Sequence, residues 1–166
     1  MTVKEQIIST LRATNRENIE EVIAYMEKNG FFTRGCHRHH HYYGGLADHA
    51  WQTYQFAQKA DEEYHRLHPN APVVDKDSLA ICAILHDFCN CHGMHHIHCH
   101  GRRSAGMLKE LGFHLTSDEF LAIRFHMSLK RHVGHPLYEN AKHCHLRHIV
   151  HEADGKSAKM YKGSEI

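Results

Sequence analysis

The chain has 166 residues and carries 20 Lys and Arg against 19 Asp and Glu, a formal charge of +1 near neutral pH. The length suits one domain with a sizeable core, and the balanced charge excludes a partner that binds mainly through bulk charge. Histidine is unusually abundant, with 21 residues. The net charge should therefore rise steeply as the pH falls below about 6.5.

The six cysteines do not have the spacing of a disulfide framework. Cys89 and Cys91 are separated by one residue, and Cys82 lies in an apolar run. The N-terminus lacks the apolar region of a signal peptide, and the longest apolar run, 79–85, is too short to span a bilayer. We expect a soluble, reduced, cytoplasmic protein with no membrane partner.

The first elements are helical. A short helix is predicted near 3–11, and apolar residues repeat at helical spacing over 19–26. Thr14 and Glu17 are predicted to form a capping box before this second helix, and Gly30 to end it.

The central elements are a long helix and a buried one. The long helix is predicted over 46–67, with His49 three residues after Leu46 and therefore on the buried side. The run LAICAIL within 79–88 is apolar all round, which is typical of a central helix or a buried strand. The lack of a second strand candidate favours a helix, capped by Asp77 or Ser78.

Two further helices follow a His- and Cys-rich loop. Apolar residues over 104–111 predict one that ends at Gly112. Thr116 and Glu119 then predict a capping box that opens a helix carrying His126.

A loop is predicted over 128–140 and a final helix over 146–161, with Asp154 on its inward side. No repeat or linker divides the chain. The prediction is one all-α domain spanning 1–166, a compact bundle of about six to seven helices. Within it, 1–35 forms an N-terminal helical pair and 36–161 the core.

Ionisable groups fall on several faces that should be buried: His49, the pair His86–Asp87, and Asp154. A buried carboxylate is costly unless it is neutral or paired, so two of them near imidazoles indicate a bound cation. Imidazole and carboxylate together suit Zn²⁺, Mn²⁺, Fe²⁺ or Ni²⁺. Taken singly, His49 also fits a hydrogen-bonded core histidine, and Asp154 a solvated or ion-paired carboxylate.

The order of these residues resembles the HD-domain superfamily of metal-dependent phosphohydrolases. Five ordered segments resemble bacterial HD-domain 3′–5′ exoribonucleases and their relatives, and the resemblance covers roughly Cys36 to Tyr161. They are HHHYYGGLADH, AILHDF, HGRRSAGMLKELG, AIRFHM and IVHEADGKSAKMY.

The resemblance implies an HD-domain helical bundle and a defined set of metal ligands. In the mononuclear branch the ligands are His49, His86, Asp87 and Asp154; the dinuclear branch adds two histidines, which correspond to His100 and His126. Asp87 would then bridge two ions. The implied cofactor is one or two divalent transition metals (Mn, Fe, Zn, Ni or Co), with Asp87 and His86 as the catalytic residues.

One position departs from the family pattern. Many catalytic members read HDxxK, whereas HDFCN places Asn90 where the lysine would be. Arg102, Arg103, Lys130 and Arg131 are candidates to bind the substrate phosphate instead, although each also fits an ordinary solvated basic face. Asn90 equally fits a non-catalytic member that binds metal or nucleotide.

The segment between the ligands holds further histidines and cysteines without a role in the family pattern. The favoured interpretation is a solvent-exposed loop containing His92, His95, His96 and His98. The alternative is an accessory zinc site formed by Cys89, Cys91, His92 and Cys99, whose irregular spacing is unlike that of paired zinc knuckles.

The resemblance implies hydrolysis of a phosphate ester of a nucleotide or a similar small phosphorylated metabolite. The alternative enzyme class is an HD-type di-iron oxygenase. A small soluble substrate is favoured over a nucleic acid, because no OB-fold domain of the kind that grips single strands in the related exoribonucleases fits before residue 36. The first two helices either cover the core or form a homodimer face.

Overall fold

The protein is described by a computed structural model over residues 1–36, 39–93 and 100–160, and all regular structure in these ranges is helical. The all-α prediction is therefore confirmed. The helices are α1 Val3–Ala13, α2 Ile19–Lys28, α3 Gly45–Leu67, α4 Lys76–Leu85, α5 His100–Glu110, α6 Ser117–Arg124, α7 Tyr138–His143 and α8 His145–Met160. Two 3₁₀ turns, Phe88–His92 and Leu129–His132, follow α4 and α6.

The helix α4 lies at the centre of the domain. Every residue from Leu79 to Leu85 is buried, because α3, α6 and α8 pack around it. Burial on all sides explains why this helix has no polar stripe. Among the helices of the described ranges, none combines the length and the apolar character needed to cross a bilayer.

The predicted helix starts are partly right. The capping box at Thr116 and Glu119 is present, with the Glu119 amide donating to Thr116 Oγ1 at 3.2 Å. The box at Thr14 and Glu17 is wrong: α2 begins after Asn18, whose φ is +61°, and Thr14 instead donates its hydroxyl to a carbonyl at the end of α1. The left-handed turn between the two helices therefore takes the place of a side-chain cap.

The start of α4 also differs from the prediction. Its cap is Asp75, which accepts a hydrogen bond from the Ser78 amide at 2.8 Å, rather than Asp77 or Ser78. Asp77 lies in the first turn of α4, where its negative charge interacts favourably with the free amides of the helix. A further difference is α7, which partly occupies the loop predicted over 128–140.

A buried ion pair ties the N-terminal helices to the core. Arg16 donates to both carboxylate oxygens of Glu119, at 2.6 and 3.0 Å, and the Glu119 side chain is fully buried. Ser78 and the Thr116 amide also donate to this carboxylate. Burial alone would raise the pKa of Glu119, but these donors hold it below its usual value.

Candidate metal centre

Six side chains from five segments of the chain meet at one end of α4. Its last residue is followed directly by His86 and Asp87, whereas α3, α5, the segment after α6, and α8 each supply one residue. The six are the residues predicted as metal ligands: His49, His86, Asp87, His100, His126 and Asp154.

Two of these histidines lie just past the end of a helix, whereas the prediction placed them inside one. The helix α4 ends at Leu85 and α6 at Arg124, so His86 and His126 follow their helix ends. Each ring reaches back three residues: His86 Nδ1 lies 2.9 Å from the Ala83 carbonyl oxygen, and His126 Nδ1 lies 2.7 Å from that of Ile123. The last carbonyls of a helix lack amide partners, which leaves them available for this contact.

These contacts determine which ring nitrogen carries the proton. A carbonyl can only accept a hydrogen bond, so Nδ1 of His86 and of His126 must donate. In the neutral ring, Nε2 is then left with a lone pair aimed at the centre of the cluster. His49 differs, because the partner of its Nδ1, at 2.9 Å, is the hydroxyl oxygen of Ser157, which can either donate or accept. Such outer hydrogen bonds orient metal-bound histidines in general.

The first group of donor atoms belongs to His49, His86 and Asp154. His49 Nε2 lies 3.2 Å from both His86 Nε2 and Asp154 Oδ1, and His86 Nε2 lies 3.8 Å from the same carboxylate oxygen. Atoms bound to one metal at about 2.0–2.2 Å lie roughly 3.0–3.6 Å from each other. The separations are therefore close to those of a coordination shell.

The second group consists of His100 and His126, and Asp87 joins it to the first. His100 Nε2 and His126 Nε2 lie 2.7 Å apart, and Asp87 Oδ1 lies 3.3 and 3.7 Å from them. Asp87 Oδ2 instead faces the first group, at 3.9 Å from His49 Nε2 and 3.8 Å from His86 Nε2. The two oxygens of one carboxylate thus face two different sets of nitrogens.

The donor set also fits a metal ion in its chemistry. Asp87 Oδ1 is a buried oxygen for which the described residues provide no hydrogen-bond partner. A buried carboxylate oxygen without a donor is costly. The neighbouring Nε2 atoms of His86 and His126 present lone pairs, so a cation is the species that satisfies all these atoms together. These buried His and Asp groups can therefore hold a metal ion.

The protonation states favour metal binding near neutral pH. Burial lowers the pKa of His126 to about 3, with a further decrease caused by His86 and His100. Burial alone would raise the pKa of Asp87, but the facing imidazoles, led by His86, lower it to about 2. The pKa of Asp154 shifts in the same direction, because its hydrogen bond with His49 outweighs the effect of burial. Neutral imidazole and ionised carboxylate are the forms that bind metal.

The open side of the cluster is formed by its two least buried members. The side chains of His100 and Asp154 are 14% and 15% exposed, whereas those of His49 and His86 are fully buried. These two side chains are therefore the members of the cluster most accessible to solvent.

A glycine allows the second group to assemble. A Cβ at Gly101 would lie 2.5 Å from the Ile123 carbonyl oxygen and 2.6 Å from that of Arg124. The backbone of α5 therefore touches the end of α6, and this contact brings His100 to His126. Nothing in the local sequence indicates this requirement, because it arises from a contact between two helices.

Two further histidines lie against the cluster and were not among the predicted ligands. The ring of His39 lies 4.5 Å from that of His49, and its Nδ1 is 3.0 Å from His40 Nδ1. Burial, followed by the charge of His49, lowers the pKa of His39 to about 4. A Cβ at Gly45 would lie 2.0 Å from the His40 carbonyl oxygen, so the glycine of the YYGG segment makes room for this loop.

Of the four candidate phosphate-binding cations, Arg102 lines the cavities beside the cluster, whereas the other three lie outside them. A cavity of about 200 Å³ is lined by His100, and within the described residues its cations are Arg102 and Arg124. The described residues that line this cavity do not include Arg103, Lys130 or Arg131. Lys130 and Arg131 are exposed on the 3₁₀ turn after α6, and Arg103 is half-buried on α5. Asn90 is half-buried on the 3₁₀ turn after α4, and its Oδ1 lies 3.8 Å from Cys89 Sγ.

The accessory zinc site gains no support from the residues that are described. Cys89 and Cys91 are buried, and Cys89 Sγ donates to the His100 carbonyl oxygen at 3.3 Å. His92 contacts the hydroxyl of Tyr25 instead. In the described ranges these three residues belong to no group with metal-ligand spacing. The remaining members of the predicted loop and site, His95, His96, His98 and Cys99, lie outside the described residues.

The chain was compared with protein-family models, curated proteins and solved structures, and none of the three comparisons finds a match.

Proposed function

We propose that this protein is a metal-dependent phosphohydrolase that cleaves a phosphate ester of a nucleotide or a similar small phosphorylated metabolite. One observation carries the proposal: the two oxygens of the buried Asp87 carboxylate face two separate sets of imidazole nitrogens, with Asp154 in the first set. Two cations held by one carboxylate suit a phosphoryl group, which presents several anionic oxygens in a small volume.

The donor atoms restrict the metal to a class. Imidazole nitrogen and carboxylate oxygen suit Mn²⁺, Fe²⁺, Zn²⁺, Ni²⁺ and Co²⁺, and we propose that two such ions bind. When bound, these ions lower the pKa of a coordinated water toward neutrality and offset charge on the phosphoryl oxygens.

The chain's own residues have distinct tasks in this proposal. Asp87 fixes the two sets of ligands relative to each other, and the Ala83 carbonyl holds His86 in the tautomer that faces the centre. The substrate phosphate approaches along the exposed edge at His100 and Asp154. Asn90 provides no positive charge to this phosphate, so the bound ions offset its charge.

The experiment is a phosphatase and phosphodiesterase assay with p-nitrophenyl phosphate and bis(p-nitrophenyl) phosphate, using tag-free protein and each candidate metal. We expect turnover that Asp87→Asn reduces at least about 100-fold, because catalytic groups that act on a developing charge have effects of this order. Two bound irons together with oxygen consumption would instead assign a di-iron oxygenase. Metal binding without turnover of either ester under any metal would assign a non-catalytic module.

A further inference from the structure

Two adjoining cavities lead away from the candidate metal centre. The inner cavity, of about 200 Å³, is lined by His100, Arg102 and Arg124. The outer one, of about 610 Å³, is lined by the same two arginines and runs over the outer faces of α5 and α6. The two arginines therefore stand at the junction between the metal centre and the outer cavity.

The inner cavity is suited to an anion. Besides its two arginines it is lined by His132 and His135, and its described lining includes no Asp or Glu. Arg124 lies over the rings of Phe120 and Phe125 and contacts His135 Nε2 at 3.1 Å, which holds its guanidinium in place. A fixed arginine beside a second one favours a phosphate or carboxylate that accepts hydrogen bonds from both.

The outer cavity is suited to an organic group. Phe113, Phe120 and Leu121 give it an apolar wall, and Lys109 is its only cation besides the two shared arginines among the described lining residues. No Asp or Glu is found among those residues. Its volume lies within the roughly 300–1,000 Å³ of small-molecule sites, whereas the inner cavity suits a single group.

We propose that the substrate carries a second anionic group besides the one at the metal centre, which binds Arg102 and Arg124, and an apolar or aromatic part that occupies the outer cavity. The inference rests on the proposed function, because it assumes that the first anionic group lies at the metal centre. A nucleoside diphosphate has this chemistry, whereas a simple sugar phosphate lacks the apolar part.

The first test compares the binding of two hydrolysis-resistant probes, the phosphonate analogues of ADP and of AMP, to as-purified, tag-free protein by calorimetry. We expect the ADP analogue to bind at least about tenfold more tightly, and Arg102→Gln to remove that preference, since a hydrogen bond to a charged group is worth at least one factor of ten. The control is Arg66→Gln, an exposed arginine of α3 that lines neither cavity. It should leave the preference unchanged.

The second test fills the outer cavity. Gly106 lies on its wall and is exposed, and a Cβ added there would have nothing within 4 Å, so a larger residue does not disturb the core. Gly106→Phe should weaken both probes at least about tenfold, whereas Glu110→Phe, at an exposed residue of the same helix that lines neither cavity, should leave them unchanged. Failure of both probes to bind, a preference that survives Arg102→Gln, or binding unaffected by Gly106→Phe would overturn the inference.

These outcomes are separate from those of the proposed function. Turnover of the nitrophenyl esters needs only the metal centre, so turnover without the predicted probe preference overturns the second anionic site alone. If the predicted preference is found but neither ester is hydrolysed, the second anionic site is retained and the proposed hydrolysis is rejected.

Discussion

Asp87 directs one carboxylate oxygen toward each of the two groups of donor atoms. Replacing it by Asn preserves the size of the side chain but removes the charge, and an amide nitrogen then takes the place of one of the two facing oxygens. The second group would keep only the two imidazoles of His100 and His126, whereas the first would keep a carboxylate from Asp154. The second ion should therefore be lost completely, and the first should bind at least about 100-fold more weakly, or about 2.7 kcal/mol.

The assay is metal content per chain by mass spectrometry after dialysis, on tag-free protein. We expect about two ions in the wild type and fewer than one in Asp87→Asn. The control is Asp77→Asn, an exposed aspartate at the opposite end of the same helix, which should retain both ions. Circular dichroism should show that both variants keep their helices. Metal content that is unchanged in Asp87→Asn would refute the bridging role and place the metal elsewhere in the chain.

Three further predictions concern the glycine between α5 and α6, the buried ion pair of Glu119, and the histidine after α6. Gly101→Ala should cost about 1–3 kcal/mol of unfolding free energy and release the second ion, whereas Gly106→Ala, in the same helix, should stabilise by up to about 1 kcal/mol in urea denaturation. Arg16→Met should cost about 3 kcal/mol, because it leaves the carboxylate of Glu119 buried without its cation, while metal content stays unchanged. In metal-free protein, the lowered pKa of His126 means that the unfolded chain binds a proton that the folded chain does not. The free energy of unfolding should then decrease from pH 6.5 toward pH 3, by at most about 5 kcal/mol, and His126→Gln should flatten the profile.

Helical phase predicts part of the candidate site. His49 and Asp154 each lie on the inward side of a long amphipathic helix, and the apolar run before His86 and Asp87 indicates a central position. The prediction of His100 and His126 depends on the family resemblance alone, since neither lies on a regular apolar stripe. The structure brings all of these residues together, and the assignment of metal and reaction stays a prediction.

The errors come from contacts that are distant in sequence. Neither α4 nor α6 carries a local stop signal before its histidine, and each ends where an imidazole contacts one of its last carbonyls. The six-residue α7 is too short to show periodicity, and tertiary packing stabilises it. Arg102 lines the inner cavity, while its neighbour Arg103 does not. Successive residues on a helix point about 100° apart. Which of the two arginines faces the cavity therefore depends on how α5 is rotated about its axis.

The arrangement of His86 and His126 has a thermodynamic consequence. Both rings have their tautomer fixed by a helix-end carbonyl before any metal arrives, and their lone pairs converge on a buried carboxylate. This preorganisation favours metal binding but makes the metal-free cluster costly, because its donors and acceptors are unmatched in a low-dielectric interior. Metal should therefore stabilise the fold as well as bind to it: at a free concentration about 100 times its Kd, one ion adds about 2.7 kcal/mol. Melting of chelator-treated protein before and after metal is restored measures this gain. An unchanged Tm in a protein that retains metal would show that the ion does not bind at this cluster.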